Sequence, residues 1–188
     1  VLAGLDDEGV WHLHPTFWTP SKGLQDRDKR DRQPYVLWHK KGFLRTTPGA
    51  TVDYERVAKE IAELTEGLAV QGVAFDRWRI DLLKKEFDEI GLQLPLVPHG
   101  QGFKDMSPAL DALESEALNG RIRHGGHPVL TMCAAGAVVT RDPAGNRKLD
   151  KSKATSRIDG LVAACMALGQ AAKAQTPEPA PKCDIFWM

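Results

Sequence analysis

Two aspartates carry the chemistry that this sequence offers. Asp76 closes the apolar run Val73-Ala74-Phe75, and Asp159 is the polar exception in the run from Ile158 to Gly169. Each carboxylate thus sits where a regular element begins or ends, beside side chains that need burial. In open α/β sheets functional groups collect at the carboxyl ends of strands, where the chain turns away. Two acids brought together from such positions supply hard oxygen ligands for Mg²⁺ or Mn²⁺. A pair of such ions about 3.5–4 Å apart can clamp the attacking and leaving oxygens of a phosphodiester. Both acids also have a purely structural reading. Asp76 can cap the helix that follows it. Ser156-x-x-Asp159 matches a capping box, and an Asp in the first turn complements the helix dipole. Spacing leaves both readings open.

The segment leading to Asp159 points to phosphate. Between Arg141 and Arg157 stand six basic residues (Arg141, Arg147, Lys148, Lys151, Lys153 and Arg157) against the two acids Asp142 and Asp150, a local charge of +4. A basic stretch beside an acidic pair suits a nucleic-acid backbone, although a solvated loop has the same composition. Asp150 is either an auxiliary ligand or a surface acid.

Other chemistries find less support. His12 and His14 share a strand face and His124 and His127 flank two glycines, but no Cys or carboxylate stands at zinc-site spacing. There is no GxxxxGK[ST], GxGxxG or GxSxG, so nucleotide sites of those types and a serine hydrolase elbow are excluded. The three cysteines, Cys133, Cys165 and Cys183, form no CxxC and suit a reducing compartment. No apolar run approaches the roughly 20 residues of a membrane span. With 188 residues, 42% hydrophobic, 27% charged and a net charge of zero, the chain has ordinary globular values and no global field.

The elements that must position the acids follow from pattern. "VLAGLDDEGVWHLHPTFW" reads as two strands around an acidic turn at Asp7-Glu8-Gly9. Leu24 to Lys41 is a charged surface helix broken at Pro34. "GFLRTTPG" is a short strand and turn, after which Asp53 caps a helix with Val57, Ile61 and Leu64 inward. A strand ending at Asp76 precedes an amphipathic helix closed by Gly91, and "LQLPLVPHGQG" holds another strand and a Gly-rich loop. Ser107-Pro108 opens a helix that Asn119-Gly120 closes. "HPVLTMCAAGAVVT" is helix or strand by pattern, and residues 141–157 form a polar connection with a turn at Asp142-Pro143-Ala144-Gly145. In the last helix Ile158, Leu161, Val162, Cys165 and Met166 make an apolar face, and Gly160, Ala163, Ala164 and Ala167 make a small-residue face, so burial on two sides is expected. Residues 1–175 read as one α/β domain and 176–188 as a Pro-rich C-terminal tail with an apolar end.

Long stretches of the chain resemble a family. "HPTFWTP", "FDRWRIDLLKKEFDEIG", "HGQGFKDMSPALDALE" and "GRIRHGGHPVLTMCAAGAVVTRDPAGNRKLDKSKATSRIDGLVAACMALG" look like the C-terminal nuclease domain of phage terminase large subunits, in consistent order from residue 1 to about 172. The resemblance implies an RNase H-like fold, a mixed central sheet flanked by helices. It implies an endonuclease that cuts concatemeric double-stranded DNA by two-metal hydrolysis with Mg²⁺ or Mn²⁺. Asp76 in "FDRW" then matches the strand-end acid and Asp159 in "RIDG" the acid of the last helix. The family's partners are an N-terminal ATPase domain of the same protein, the small terminase subunit and the portal, in the cytoplasm of an infected bacterium, with no membrane. Its first acid lies just before the segment matching "VLAGLDDEG", so the expected domain has a shortened first strand and one ligand fewer, with Asp6 and Asp7 in a turn. A second reading is a catalytically incomplete RNase H-like module that binds DNA or docks on the packaging motor and portal, with the acids as caps.

Overall fold

A computed structural model describes residues 1–77 and 80–175. The tail assigned to 176–188, with its apolar end, lies outside the described residues, as do Trp78 and Arg79.

The opening strands are β1 (Leu2–Leu5) and β2 (Trp11–His14), paired antiparallel. Asp6 shapes the turn between them: its Oδ1 accepts from the Glu8 and Val10 amides at 3.0 and 2.8 Å. Strand β2 alternates buried Trp11 and Leu13 with exposed His12 and His14, the period of a half-buried strand. It pairs on its other side, parallel, with β7 (Ile122–Arg123), so this three-stranded sheet is mixed. A short parallel pair joins β3 (Trp18–Pro20) to β4 (Arg45–Thr47). Between them lie α1 (Leu24–Asp31) and α2 (Tyr35–Lys40), separated at Pro34 as the ring requires. Helix α3 (Tyr54–Thr65) is capped by Asp53, whose carboxylate accepts from the Arg56 amide at 3.1 Å.

Strand β5 (Val73–Asp76) leads to α4 (Ile80–Glu89), and pairs parallel with β6 (Leu96–His99). Among the described residues the expected single central sheet is thus divided, with β5 and β6 hydrogen-bonded to each other apart from the β1-β2-β7 sheet. Helix α5 (Phe103–Leu118) starts at Gly102, not at Ser107-Pro108. Both of those residues lie inside it, and the Ser107 hydroxyl accepts from the Arg147 amide at 3.1 Å instead of capping. The ambiguous segment resolves into helix α6 (Pro128–Ala135) followed by strand β8 (Val139–Arg141). The "polar connection" is in part a hairpin: β8 pairs antiparallel with β9 (Arg147–Leu149) around an Asp142–Asn146 loop.

Helix α7 (Asp159–Gln175) organises the core and is buried on two sides, as its two stripes require. Val162, Cys165 and Met166, with Ile158 just ahead of the helix, pack with Met106, Ala109 and Leu110 of α5 and Leu149 of β9. Ala164 and Leu168 pack with Trp11, Leu13 and Leu130. The small residues permit close approach. A Cβ on Gly160 would lie 2.5 Å from Phe17 Cζ, and one on Gly169 would lie 2.6 Å from Ala109 Cβ and 3.0 Å from its Cα.

Candidate active site

Asp76 is half-buried at the end of β5, and Asp159 is the first residue of α7. The two elements pack together, and they run in opposite directions, since Gly72 meets Gln170 while Ala74, further up the strand, packs on the cluster of Ile158, Val162, Cys165 and Met166. Gly72, just ahead of β5, faces Gln170 near the end of α7, where a Cβ would lie 3.4 Å from Gln170 Cγ. Four residues up the strand advance about 13 Å, and eleven residues back along the helix about 16 Å, so the C-terminal end of β5 and the N-terminal end of α7 point the same way. A second contact ties the next strand to the same helix. His99 is the parallel-strand partner of Asp76, and two residues later the Gln101 amide donates to Met166 Sδ at 3.4 Å. Met166, Val162 and Asp159 share one helix face by spacing. Asp76 has an interaction partner of its own.

The environments of the candidate ligands differ. Asp159 is 65% exposed and its Oδ1 is 2.8 Å from Lys151 Nζ. Asp150 serves its own turn: the Ser152 amide and hydroxyl donate to its Oδ1 at 3.0 and 2.6 Å, and Lys153 Nζ is 3.6 Å from Oδ2. The Ser152 hydrogen bonds hold its carboxyl below the usual range. Among the described residues no three His, Cys, Asp or Glu side chains converge on one point where an ion would fit. The predicted capping box is not formed as expected. The Ser156 hydroxyl donates to the Met132 carbonyl at 3.1 Å, tying the loop to α6, and α7 begins three residues later.

Buried His99 donates from Nδ1 to the Gly100 carbonyl at 2.9 Å, and its Nε2 has no hydrogen-bond partner among the described residues. His12 and His127 have structural roles. His12 is 2.8 Å from Asp6 Oδ2, and His127 packs between Phe17 and Phe43 at ring distances of 5.3 and 5.2 Å. Burial holds the His127 ring below its ordinary pKa.

The six basic residues divide. Arg147 is only 18% exposed and its guanidinium binds Asp111 and Glu114 of α5, the latter at 2.8 Å. Lys148 Nζ lies 4.9 Å from the Phe103 ring centre. Arg141 is exposed on β8, Lys151 and Lys153 are exposed in their turn, and Arg157 is exposed beside Asp31. Lys151, Arg157 and Asp159 line a cleft of about 590 Å³ whose far wall is Arg30, Asp31, Gln33 and Tyr35. Sequence reasoning missed that wall. Its residues belong to a charged helical run, and nothing in their spacing marks them as neighbours of a segment over a hundred positions later.

A mixed sheet, a parallel strand pair and a helix laid against both, with an acid at the strand end and another at the helix start, define an RNase H-like α/β domain. Within that class the chain belongs to the family of terminase large subunit endonuclease domains, whose family model matches residues 1–175. It is 59% identical over 186 residues to the terminase large subunit of Enterobacteria phage HK97, a match covering 99% of this chain and 37% of that protein. It is 30% identical over 174 residues to protein YmfN of Escherichia coli, covering 87% of this chain and 38% of that one. The crystal structure of the HK97 bacteriophage large terminase superimposes with a TM-score of 0.85 at 62% identity, over 89% of this chain and 35% of that chain. The chain therefore spans little more than a third of the length of these relatives. Among the described residues no helix is long and apolar enough to cross a membrane.

Proposed function

We propose that this domain hydrolyses phosphodiester bonds of double-stranded DNA, with Asp76 and Asp159 as the carboxylates that hold divalent ions. The observation that supports this reading is the packing of β5 on α7, with Asp76 ending the strand and Asp159 starting the helix. Their chemistry fits the ions in kind, because carboxylate oxygens are the ligands that Mg²⁺ and Mn²⁺ prefer. When bound, such ions lower the pKa of an attacking water and stabilise the leaving oxygen. The chain's own contribution is positional. Strand β5 and the packed start of α7 hold the carboxylates, while Lys151 and Arg157 offer cations to phosphate oxygens at the same edge. Arg141 and Lys153 extend that positive edge. Arg147 and Lys148 are committed largely to α5 and to Phe103, so they steady the hairpin. These contacts address backbone, not bases, so cutting by the domain alone is largely indifferent to sequence.

The resemblance extends the proposal. The substrate is concatemeric viral DNA in the cytoplasm of the infected host. An ATPase domain of the same protein, the small terminase subunit and the portal are the expected partners.

The test is relaxation of supercoiled plasmid in Mn²⁺. Nicking that stops in EDTA supports the proposal, and nicking that persists in EDTA contradicts it. One observation favours a second reading, a DNA-docking module without catalysis: the Asp159 carboxylate is already paired with Lys151. That reading predicts DNA binding without nicking in any divalent ion.

A further inference from the structure

The cleft beside Asp159 has two walls from distant parts of the chain, and the notable one is the break between α1 and α2. Arg30 grips Asp31 with both arms of its guanidinium, Nε to Oδ1 at 2.7 Å and Nη2 to Oδ2 at 3.2 Å. The Tyr35 hydroxyl donates to the same Oδ2 at 3.3 Å, and Arg157 Nε stands 3.9 Å from it on the opposite wall. Asp31 is thus a fixed post on which two arginines from different walls are oriented. It does not exhaust them. Arg30 and Arg157 are each 62% exposed, and a guanidinium carries five N–H donors. With Lys151 counted against Asp31 and Asp159, the lining carries a net positive charge.

The arm that bears Arg30 is anchored. Tyr35 and Trp38 of α2 are buried with Leu44 and Val129, and Leu24 of α1 packs against the same cluster, while Arg30 itself is held by Asp31. The cleft volume lies within the range of sites that hold ligands, about 300–1,000 Å³. Its one aromatic side chain, Tyr35, is buried and engaged by Asp31, so no ring is offered for base stacking. Forked cations without a stacking platform suit phosphate oxygens.

We propose that residues 30–35 form the second wall of a channel for the sugar-phosphate backbone of one DNA strand, with Arg30 and Arg157 holding a phosphate that flanks the one at Asp159. The place of that phosphate beside the one at Asp159 rests on the nuclease reading, but the contact itself is tested by binding alone.

The experiment is fluorescence anisotropy of a labelled short duplex in EDTA, titrated over salt, with this chain and its Arg30→Ala, Arg157→Ala and doubly substituted forms. Lys59→Ala, an exposed lysine on α3 paired with Glu55 and absent from the cleft, is the charge-matched control. Because the two arginines share one phosphate, the doubly substituted form is expected to reduce the slope of log K against log salt by about 0.9, with each single substitution giving part of that loss. The loss should be equal on two unrelated sequences, and Lys59→Ala should leave the slope unchanged. Arg30→Ala binding with an unaltered slope overturns the inference, as does absence of binding by the unsubstituted chain. Plasmid nicking in Mn²⁺ by the unsubstituted chain, run in parallel, keeps the two claims apart. Nicking with Arg30-independent binding sinks this inference alone, and Arg30-dependent binding without nicking sinks the nuclease reading alone.

Discussion

Lys151 Nζ lies 2.8 Å from Asp159 Oδ1, so the acid at the head of α7 already has a cation tethered eight residues upstream. Both side chains are largely exposed, and such pairs contribute about 0–1 kcal/mol to stability. Their importance lies in competition, because a divalent ion approaching Asp159 must share or displace the ammonium. Lys151→Met should therefore change urea stability by less than about 1 kcal/mol. It should also lower the Mn²⁺ concentration at which the melting temperature begins to rise. An unchanged Mn²⁺ dependence would mean that the pair does not compete with the ion.

The fit of α7 against α5 is tight enough to reverse a favourable propensity. Gly169→Ala gains about 1 kcal/mol in helix propensity, yet the new Cβ would meet Ala109 Cβ at 2.6 Å and its Cα at 3.0 Å. Backbone cannot swing aside as a side-chain tip does, and overpacking costs about 1–3 kcal/mol. Chemical denaturation should show a net loss of stability. A stabilised variant would mean that the two helices separate at little cost.

Local signals in the sequence were legible where the chain satisfies them locally. Asp53 caps α3, Pro34 divides α1 from α2, and Asn119-Gly120 ends α5, each within a few residues of its cause. Signals were misread where a side chain finds its partner far away. Ser156 has the sequence of a cap but spends its hydroxyl on Met132, and Ser107 spends its own on Arg147 across forty positions. The hairpin of β8 and β9 was hidden because its strands are three residues each and polar, too short for a period to register. The candidate acids were visible as element ends. The packing of β5 on α7 and the Arg30 wall depend on tertiary contacts, which no spacing encodes.

Glu60 ties three elements together and should make the domain acid-sensitive. Trp18 Nε1 donates to its Oε2 at 2.5 Å, Arg45 Nη1 is 2.9 Å from the same oxygen, and Arg56 Nε is 3.0 Å from Oε1. Burial alone would raise its pKa, but the hydrogen bonds from Arg45, Trp18 and Arg56 outweigh that and hold it below its ordinary 4.5. A depressed folded value means the contribution is complete above the unfolded pKa and is lost as pH falls through the folded one. Glu60→Gln should cost about 1–3 kcal/mol at neutral pH. The gap in melting temperature between variant and parent should narrow as pH falls below the ordinary glutamate value and through the lower folded one. A gap that stays constant with pH would refute the ionic account.

Cys165 and Cys133 should be inert in the folded domain. Burial pushes the Cys165 thiol up to about 12 and raises that of Cys133 as well. Since the thiolate is the reactive form, iodoacetamide at mildly alkaline pH should label neither until urea is added. Peptide-resolved mass spectrometry reads each site separately. Labelling of Cys165 in the native chain would indicate opening of α7 from α5.

The central claim is that Asp76 and Asp159 act together on one phosphodiester. The decisive measurement is plasmid nicking in Mn²⁺ by Asp76→Asn and Asp159→Asn beside the unsubstituted chain, with duplex binding and urea stability recorded for all three. The parent is expected to nick, and each variant to lose nicking while keeping its DNA affinity and its fold. Variants that nick like the parent, or that merely lose about 1 kcal/mol of stability as a missing cap would, would contradict that claim.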